Sequence, residues 1–152
     1  NMGHDARVRI QSGDGYACVK ALLPPRERRG LVLINPPFER RDEFQAMDRT
    51  LREGLRRWAS GTYALWYPIK DPDTHRAFQD GLADLTETRI WSVELCVYPD
   101  LFPARLNGCG FVFVNPPWSV VKAAEEMMPF LCDLLRQQEG AFWQAEWLTG
   151  QP

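Results

Sequence analysis

The fold is decided by one stretch of the sequence, Leu31-Val-Leu-Ile-Asn35-Pro-Pro-Phe38. Its apolar run is stopped by two prolines. This pattern predicts a strand over 31–35 that is buried on both faces, like the inner strands of α/β sheets. The following segment, 42–59, is predicted to be a helix, because its apolar residues recur at three- and four-residue spacing. A buried strand followed by a helix of this length indicates an α/β fold.

Strands and helices alternate along the rest of the chain. The apolar patterns predict strands over 7–11, 62–67, 88–98, 110–115 and 141–148, and helices over 16–23, 73–85 and 120–135. We expect Pro68 to end the strand over 62–67. Alternation favours a mostly parallel sheet, whereas the short connection between 88–98 and 110–115 predicts an antiparallel late strand pair. By analogy with known folds, this combination indicates a Rossmann-like methyltransferase sheet.

Asn35, Pro36 and Phe38 are the candidate catalytic residues, because ligands of open α/β sheets bind just beyond the carboxyl ends of strands. Asn35-Pro-Pro-Phe38 resembles the [Asp/Asn/Ser]-Pro-Pro-[Tyr/Phe/Trp] motif of amino-methyltransferases that act on nucleic acids, which implies an adenine amine as the methyl acceptor. This exocyclic amine is a poor nucleophile, since its lone pair is delocalised into the ring. The Asn35 side-chain oxygen and the Pro36 carbonyl can accept hydrogen bonds from that amine, and Phe38 offers a flat face for an extruded base. The alternative is a strand-ending turn with a phenylalanine in the core.

A second copy of the motif, Asn115-Pro-Pro-Trp118, follows the predicted strand over 110–115. One domain needs only one methyl-transfer site, and the first copy leads into a long helix, as a catalytic strand would. We therefore favour Asn35 as the catalytic residue. We expect Asn115 to end its strand and to cap the following helix with its side chain, with Pro116 near the helix start.

The composition limits the classes of function. A chain of 152 residues fits one domain or a large part of one. A formal net charge of -2 and a pI of about 5.7 argue against a binder held by bulk positive charge. The sequence contains no apolar run of about 18 residues and no pattern of a signal peptide, so neither a membrane partner nor secretion is indicated. The four cysteines and two histidines do not have the spacing of a zinc site, so we expect no bound metal. We also expect reduced thiols and a cytoplasmic location.

Four stretches together carry a resemblance to a known family: 21–25 (ALLPP), 28–39 (RRGLVLINPPFE), 60–68 (SGTYALWYP) and 112–118 (VFVNPPW). In this order, and over nearly the whole chain, they resemble the bacterial 23S ribosomal RNA adenine-N6 methyltransferase family. The resemblance implies methyl transfer from S-adenosyl-L-methionine to the N6 amine of an adenine in 23S ribosomal RNA. It also implies a full-length protein that acts as a monomer.

The resemblance assigns roles to individual residues. Asn35 stands at the first position of the family's Asp-Pro-Pro-Tyr-like motif, which implies a catalytic acceptor that also lies against the cofactor. Asp14 and Gly15 match an Asp-Gly pair that contacts the cofactor. Without the resemblance, Asp14 is equally well explained as a turn residue or a helix N-cap. Because Asn35 replaces the family's Asp, a role as proton acceptor is not expected of it.

The family carries its glycine-rich cofactor loop upstream of the Asp-Gly pair, and no such loop precedes Asp14 in this sequence. We therefore predict that residues 1–152 are the C-terminal portion of a single methyltransferase domain that lacks the first strands. We expect this chain alone to be inactive. The alternatives are a non-catalytic remnant that binds RNA or protein, and an amino-methyltransferase that acts on DNA or protein.

Overall fold

The computed structural model describes residues 7–27, 29–99 and 105–150. Within these ranges, helices and strands alternate from α1 to β3, and β4 follows β3 without a helix between them. The helices are α1 (Gly15–Leu22), α2 (Glu43–Arg57), α3 (Pro72–Leu82) and α4 (Trp118–Leu135). The strands are β1 (Leu31–Ile34), β2 (Thr62–Ile69), β3 (Ile90–Cys96), β4 (Gly108–Val114) and β5 (Phe142–Thr149).

The strands form one mixed sheet in the order β1-β2-β4-β3-β5. β1 and β2 are parallel, with Leu31 opposite Thr62. β4 lies between β2 and β3 and is antiparallel to both, with Val93 of β3 opposite Phe111. The predicted antiparallel pair is therefore confirmed. The prediction of a mostly parallel sheet is correct for the direction of the strands, since β1, β2 and β3 point the same way. It does not apply to pairing, because within the described residues only β1 and β2 pair in parallel.

One face of the sheet holds the larger core, which α2 and α3 cover. Met47 and Leu51 of α2 are fully buried, as their spacing predicts, and they belong to the same apolar cluster as Ile34 of β1. Leu82 of α3 is also fully buried and belongs to this cluster. Ile34 is the last residue of β1, so this contact holds the strand that carries the Asn-Pro-Pro-Phe motif against the core.

The other face is covered by α4 alone among the described helices. Val121 and Met128 pack on the β3 side of the sheet. β1 lies at the opposite edge, and its outward residues Leu31 and Leu33 are 60% and 59% exposed. The prediction that this strand is buried on both faces is therefore wrong. The apolar run shows that the residues of β1 are hydrophobic, but it does not indicate that β1 lies at the edge of the sheet.

Two further predictions about strands are corrected by the structure. Residues 7–11 form no strand, and Ile10 is largely exposed, because no described strand lies beside this segment. Pro68 does not end β2, which continues to Ile69 with Pro68 opposite Cys109 of β4. Pairing with β1 stops at Leu65, so one side of β2 is open there, and such strands tolerate proline.

A buried polar cluster joins α3 to the sheet. Glu94 of β3 accepts hydrogen bonds from the Tyr67 hydroxyl at 2.7 Å, from Gln79 at 3.0 Å and from Gln144 at 2.5 Å. The ring of His75 stacks on Tyr67. Burial, together with the nearby Glu94 carboxylate, raises the pKa of Tyr67 far above its ordinary value. A buried carboxylate requires such donors, so this cluster fixes α3 against the sheet.

Candidate active site

A cleft of about 500 Å³ lies at the carboxyl end of β1 and contains most of the predicted site residues. Asn35 is exposed in it, and the buried Pro36 also lines it. Asp14 and Gly15 line the same cleft from the start of α1. Its volume lies within the range of small-molecule sites, about 300–1,000 Å³. The fold therefore brings together the acceptor and cofactor residues that were predicted from two separate segments.

Asp14 has a structural role as well as a place in the cleft. Its Oδ1 accepts a hydrogen bond from the backbone N–H of Tyr16 at 2.9 Å, which caps α1. The N-cap interpretation is therefore confirmed, while contact with a cofactor stays a prediction. A Cβ placed on Gly15 would meet no atom within 4 Å, so the backbone there is open to a ligand.

The cleft also contains a hydrogen-bonded pair that sequence reasoning missed. The Tyr16 hydroxyl donates to Glu43 Oε1 at 2.6 Å, and Glu43 is only 3% exposed. Burial, and then the bond to Glu43, raise the pKa of Tyr16 well above its ordinary value. The pair links the start of α1 to the start of α2. A glutamate in the first turn of a helix is common for dipole reasons alone, so no sequence pattern indicates this contact.

Phe38 does not line this cleft. Its backbone is left-handed, with φ at 54°, which is unusual for a bulky residue. Its half-buried ring lies edge-on to Phe44 at 5.0 Å and to Trp66 at 5.8 Å between centroids. It lines a separate, smaller cavity of about 140 Å³. Phe38 thus packs on the core as the alternative interpretation held, and its role as a platform for a base stays a prediction.

Asn115 does not cap a helix, so this prediction is wrong. The N-cap of α4 is Pro117, and it makes no side-chain cap bond. Asn115 ends β4 as expected, but its φ is 51° and its side chain turns back. Its Nδ2 donates to the carbonyls of Ala59 at 2.8 Å and Gly61 at 3.0 Å. The carboxamide of the second motif therefore fastens the end of β4 to the loop between α2 and β2.

In the part of the chain that the structure describes, no group of three or more His, Cys, Asp or Glu side chains is placed to hold a metal ion. None of the described helices has the length and apolar character that a membrane-spanning helix needs. All four cysteines are free, and Cys96 is buried. Burial raises the pKa of the Cys96 thiol to about 12.

Comparison with known proteins places this chain in a family. The family model described as "Ribosomal RNA large subunit methyltransferase D, RlmJ" matches residues 1–149. The chain is 39% identical over 150 residues to "Ribosomal RNA large subunit methyltransferase J" of Haemophilus influenzae, and 37% identical over 130 residues to the Escherichia coli protein of that name. The chain belongs to the RlmJ family. The resemblance found in the sequence is thereby confirmed.

The matches to RlmJ proteins cover nearly all of this chain but only part of the relatives. They include 98% of the chain and 53% of the Haemophilus influenzae protein, and 84% of the chain and 45% of the Escherichia coli protein. The crystal structure of protein LPL1258 from Legionella pneumophila is similar, with a TM-score of 0.79 and 25% identity, over 89% of this chain and 49% of that protein. The chain thus spans about half the length of these proteins.

Proposed function

We propose that the full-length protein containing this chain transfers a methyl group from S-adenosyl-L-methionine to the N6 amine of an adenine in 23S ribosomal RNA. One observation carries the proposal: Asp14, Gly15, Asn35 and Pro36 line one cleft at the carboxyl end of β1. Membership of the RlmJ family supports ribosomal RNA as the substrate over DNA or protein. Ribosomal RNA as the substrate supports a cytoplasmic location.

The residues of the cleft suit both an adenosyl cofactor and an adenine amine. Asp14 is exposed and retains acceptor capacity beyond its cap bond, so its carboxylate accepts from the adenosyl amine. The open backbone at Gly15 allows the ring to approach. When bound, S-adenosyl-L-methionine supplies an electrophilic methyl group on its sulfonium.

Asn35 and Pro36 act on the target amine. The Asn35 Oδ1 and the Pro36 carbonyl each accept one N–H, which orients the amine and localises its lone pair towards the methyl group. The buried Pro36 has a fixed φ, so its carbonyl stays aimed without reorganisation. Because an amide takes no proton at ordinary pH, the proton released from nitrogen passes to solvent and not to Asn35.

The proposal includes the extent of the domain. We regard residues 1–152 as the C-terminal portion of a Rossmann-like methyltransferase domain. The parallel β1–β2 pair, the antiparallel β4 beside β3, and relatives about twice as long all support this view. Segments outside this chain then complete the cofactor site, and the chain alone is inactive.

The test uses the full-length protein with stripped 23S ribosomal RNA and radiolabelled S-adenosyl-L-methionine. Asn35→Ala should lower the single-turnover rate by about 100-fold or more, because it removes an acceptor aligned with the reacting amine. Its melting temperature should stay unchanged, since Asn35 is exposed. Gln138→Ala removes an exposed carboxamide elsewhere and is the matched control.

A rate for Asn35→Ala within about threefold of the unaltered protein would contradict the assignment of this residue. Failure of the unaltered full-length protein to methylate the RNA would favour the non-catalytic remnant. Asn35→Asp restores the residue that the family carries at this position, and it should retain activity.

A further inference from the structure

A buried carboxylate borders the cleft at the start of α2. Glu43 is almost fully buried, and it lines the cleft together with Tyr16 of α1. Its Oε1 accepts a hydrogen bond from the Tyr16 hydroxyl at 2.6 Å. Among residues 7–27, 29–99 and 105–150, no other hydrogen bond to this carboxylate is found. Because a buried carboxylate without a donor is costly, the packing of α1 against α2 depends on the Tyr16 hydroxyl.

The cation beside Glu43 does not replace Tyr16 as its donor. Arg40 also lines the cleft, but its guanidinium is committed to Asp42. Its Nε donates to Asp42 Oδ1 at 3.0 Å, and its Nη2 donates to Oδ2 at 2.7 Å. Both oxygens of Asp42 are thus occupied by Arg40, and the bond from Tyr16 remains the contact that compensates the buried charge of Glu43.

Tyr16 is bonded on its other side to the residue that is proposed to bind the adenosyl amine. Its backbone N–H donates to Asp14 Oδ1 at 2.9 Å, while its hydroxyl donates to Glu43. Asp14 itself is exposed, so burial does not fix its carboxylate and the bond from Tyr16 does. Glu43 is the first residue of the helix that follows the Asn-Pro-Pro-Phe motif. Tyr16 therefore connects the α1 side of the cleft to the side that carries Asn35.

We propose that Tyr16 and Glu43 are positioning residues, whose bond holds Asp14 at the distance from Asn35 that cofactor binding requires. The inference rests on the proposed function and adds to it the pair that sets the width of the cleft. Site residues act well only when supporting hydrogen bonds hold them to within about 0.5 Å of the productive geometry. In this role neither side chain takes a proton or contacts the reacting atoms.

The test measures the Kd of the full-length protein for S-adenosyl-L-methionine by isothermal titration calorimetry. Tyr16→Phe should raise this Kd about 5- to 20-fold, because a displaced Asp14 loses part of a charge-assisted hydrogen bond. With the cofactor at saturating concentration, the single-turnover methylation rate of this variant should stay within about threefold of the unaltered rate. Glu43→Gln keeps an oxygen that accepts from the Tyr16 hydroxyl, so its Kd should stay within about twofold of the unaltered value.

Tyr63→Phe is the matched control, because it also removes a tyrosine hydroxyl that donates a hydrogen bond between two elements. The Tyr63 hydroxyl donates to the carbonyl of Trp58 at 3.1 Å. Tyr63 is the second residue of β2 and does not line the cleft. The substitution should lower the melting temperature, as Tyr16→Phe does, but it should leave the Kd unchanged.

A Kd for Tyr16→Phe within about twofold of the unaltered value would overturn the positioning role. An equal rise in Kd for Tyr63→Phe would also overturn it, since general destabilisation would then explain both. A rise for Glu43→Gln as large as that for Tyr16→Phe would show that the charge of Glu43 matters and its bond to Tyr16 does not.

The outcomes also separate this role from the proposed reaction. Changes in Kd as described, in a full-length protein that does not methylate the RNA, would leave the positioning role standing and reject the reaction. Normal methylation by the unaltered protein, with an unchanged Kd for Tyr16→Phe, would support the reaction and reject the positioning role.

Discussion

Asn115→Ala is expected to destabilise this chain through two separable effects. The first is the loss of both Nδ2 bonds, to Ala59 and Gly61. Each bond contributes about 0.5–1 kcal/mol in a partly exposed position. The second is backbone strain, because φ at residue 115 is 51°, where asparagine is tolerated and alanine costs about 1 kcal/mol more. The sum is about 2–3 kcal/mol, or about 4–12 °C in Tm for a domain of this size.

Urea unfolding followed by tryptophan fluorescence measures this loss, and two further variants separate its parts. Asn115→Gly removes the bonds without the strain and should cost about 1–2 kcal/mol. Asn35→Ala makes the same substitution at the exposed first motif, and should stay within about 0.5 kcal/mol of the unaltered chain. Equal costs for alanine and glycine at 115 would refute the strain. A cost below about 1 kcal/mol for Asn115→Ala would refute the contribution of the two bonds.

Two other substitutions probe the aromatic and polar clusters. Phe38→Ala should lower the single-turnover methylation rate of the full-length protein about 10- to 100-fold, through loss of base stacking. It should also lower the free energy of unfolding by about 1–2 kcal/mol, because the ring is half-buried. Full activity of this variant would show that Phe38 serves only to pack the core. Tyr67→Phe should cost about 1–3 kcal/mol at pH 8, since it removes a donor to the buried Glu94. Because the folded state raises the Tyr67 pKa, its contribution is fully present below about pH 10 and is lost at higher pH. Between about pH 9 and 11.5, the urea midpoint should therefore fall less steeply with pH for Tyr67→Phe than for the unaltered chain. Identical slopes would show that Tyr67 does not change its protonation on unfolding.

Much of the architecture follows from local apolar patterns. Three features depend only on residues that are close together in the sequence, and each is predicted from it. They are the four-residue apolar run of β1, the buried positions of α2 and the short connection between β3 and β4. The edge position of β1 is not predicted, because Leu31 and Leu33 are as apolar as residues of an inner strand. Which strand lies at an edge depends on every other strand of the sheet.

The same distinction applies to the site. The family resemblance implies that Asp14 and Asn35 both contact the cofactor, and the two residues line one cleft. The bond between Tyr16 and Glu43 was not predicted, since it joins residues 27 positions apart that carry no motif. Asn115 shows a further limit. Like Asn35, it is followed by two prolines and an aromatic residue, yet its backbone angle turns its carboxamide inward as a donor.

The exposed leucines of β1 affect how the polypeptide behaves in bulk solution. An edge strand with uncovered apolar side chains is a ready template for pairing with another chain. A net charge of -2 supplies little mutual repulsion to oppose such contact. Sulfate and phosphate buffers strengthen apolar association, so they favour self-association of concentrated preparations. Natural edge strands often avoid such pairing by carrying lysine. Leu31→Lys or Leu33→Lys would introduce the same protection here.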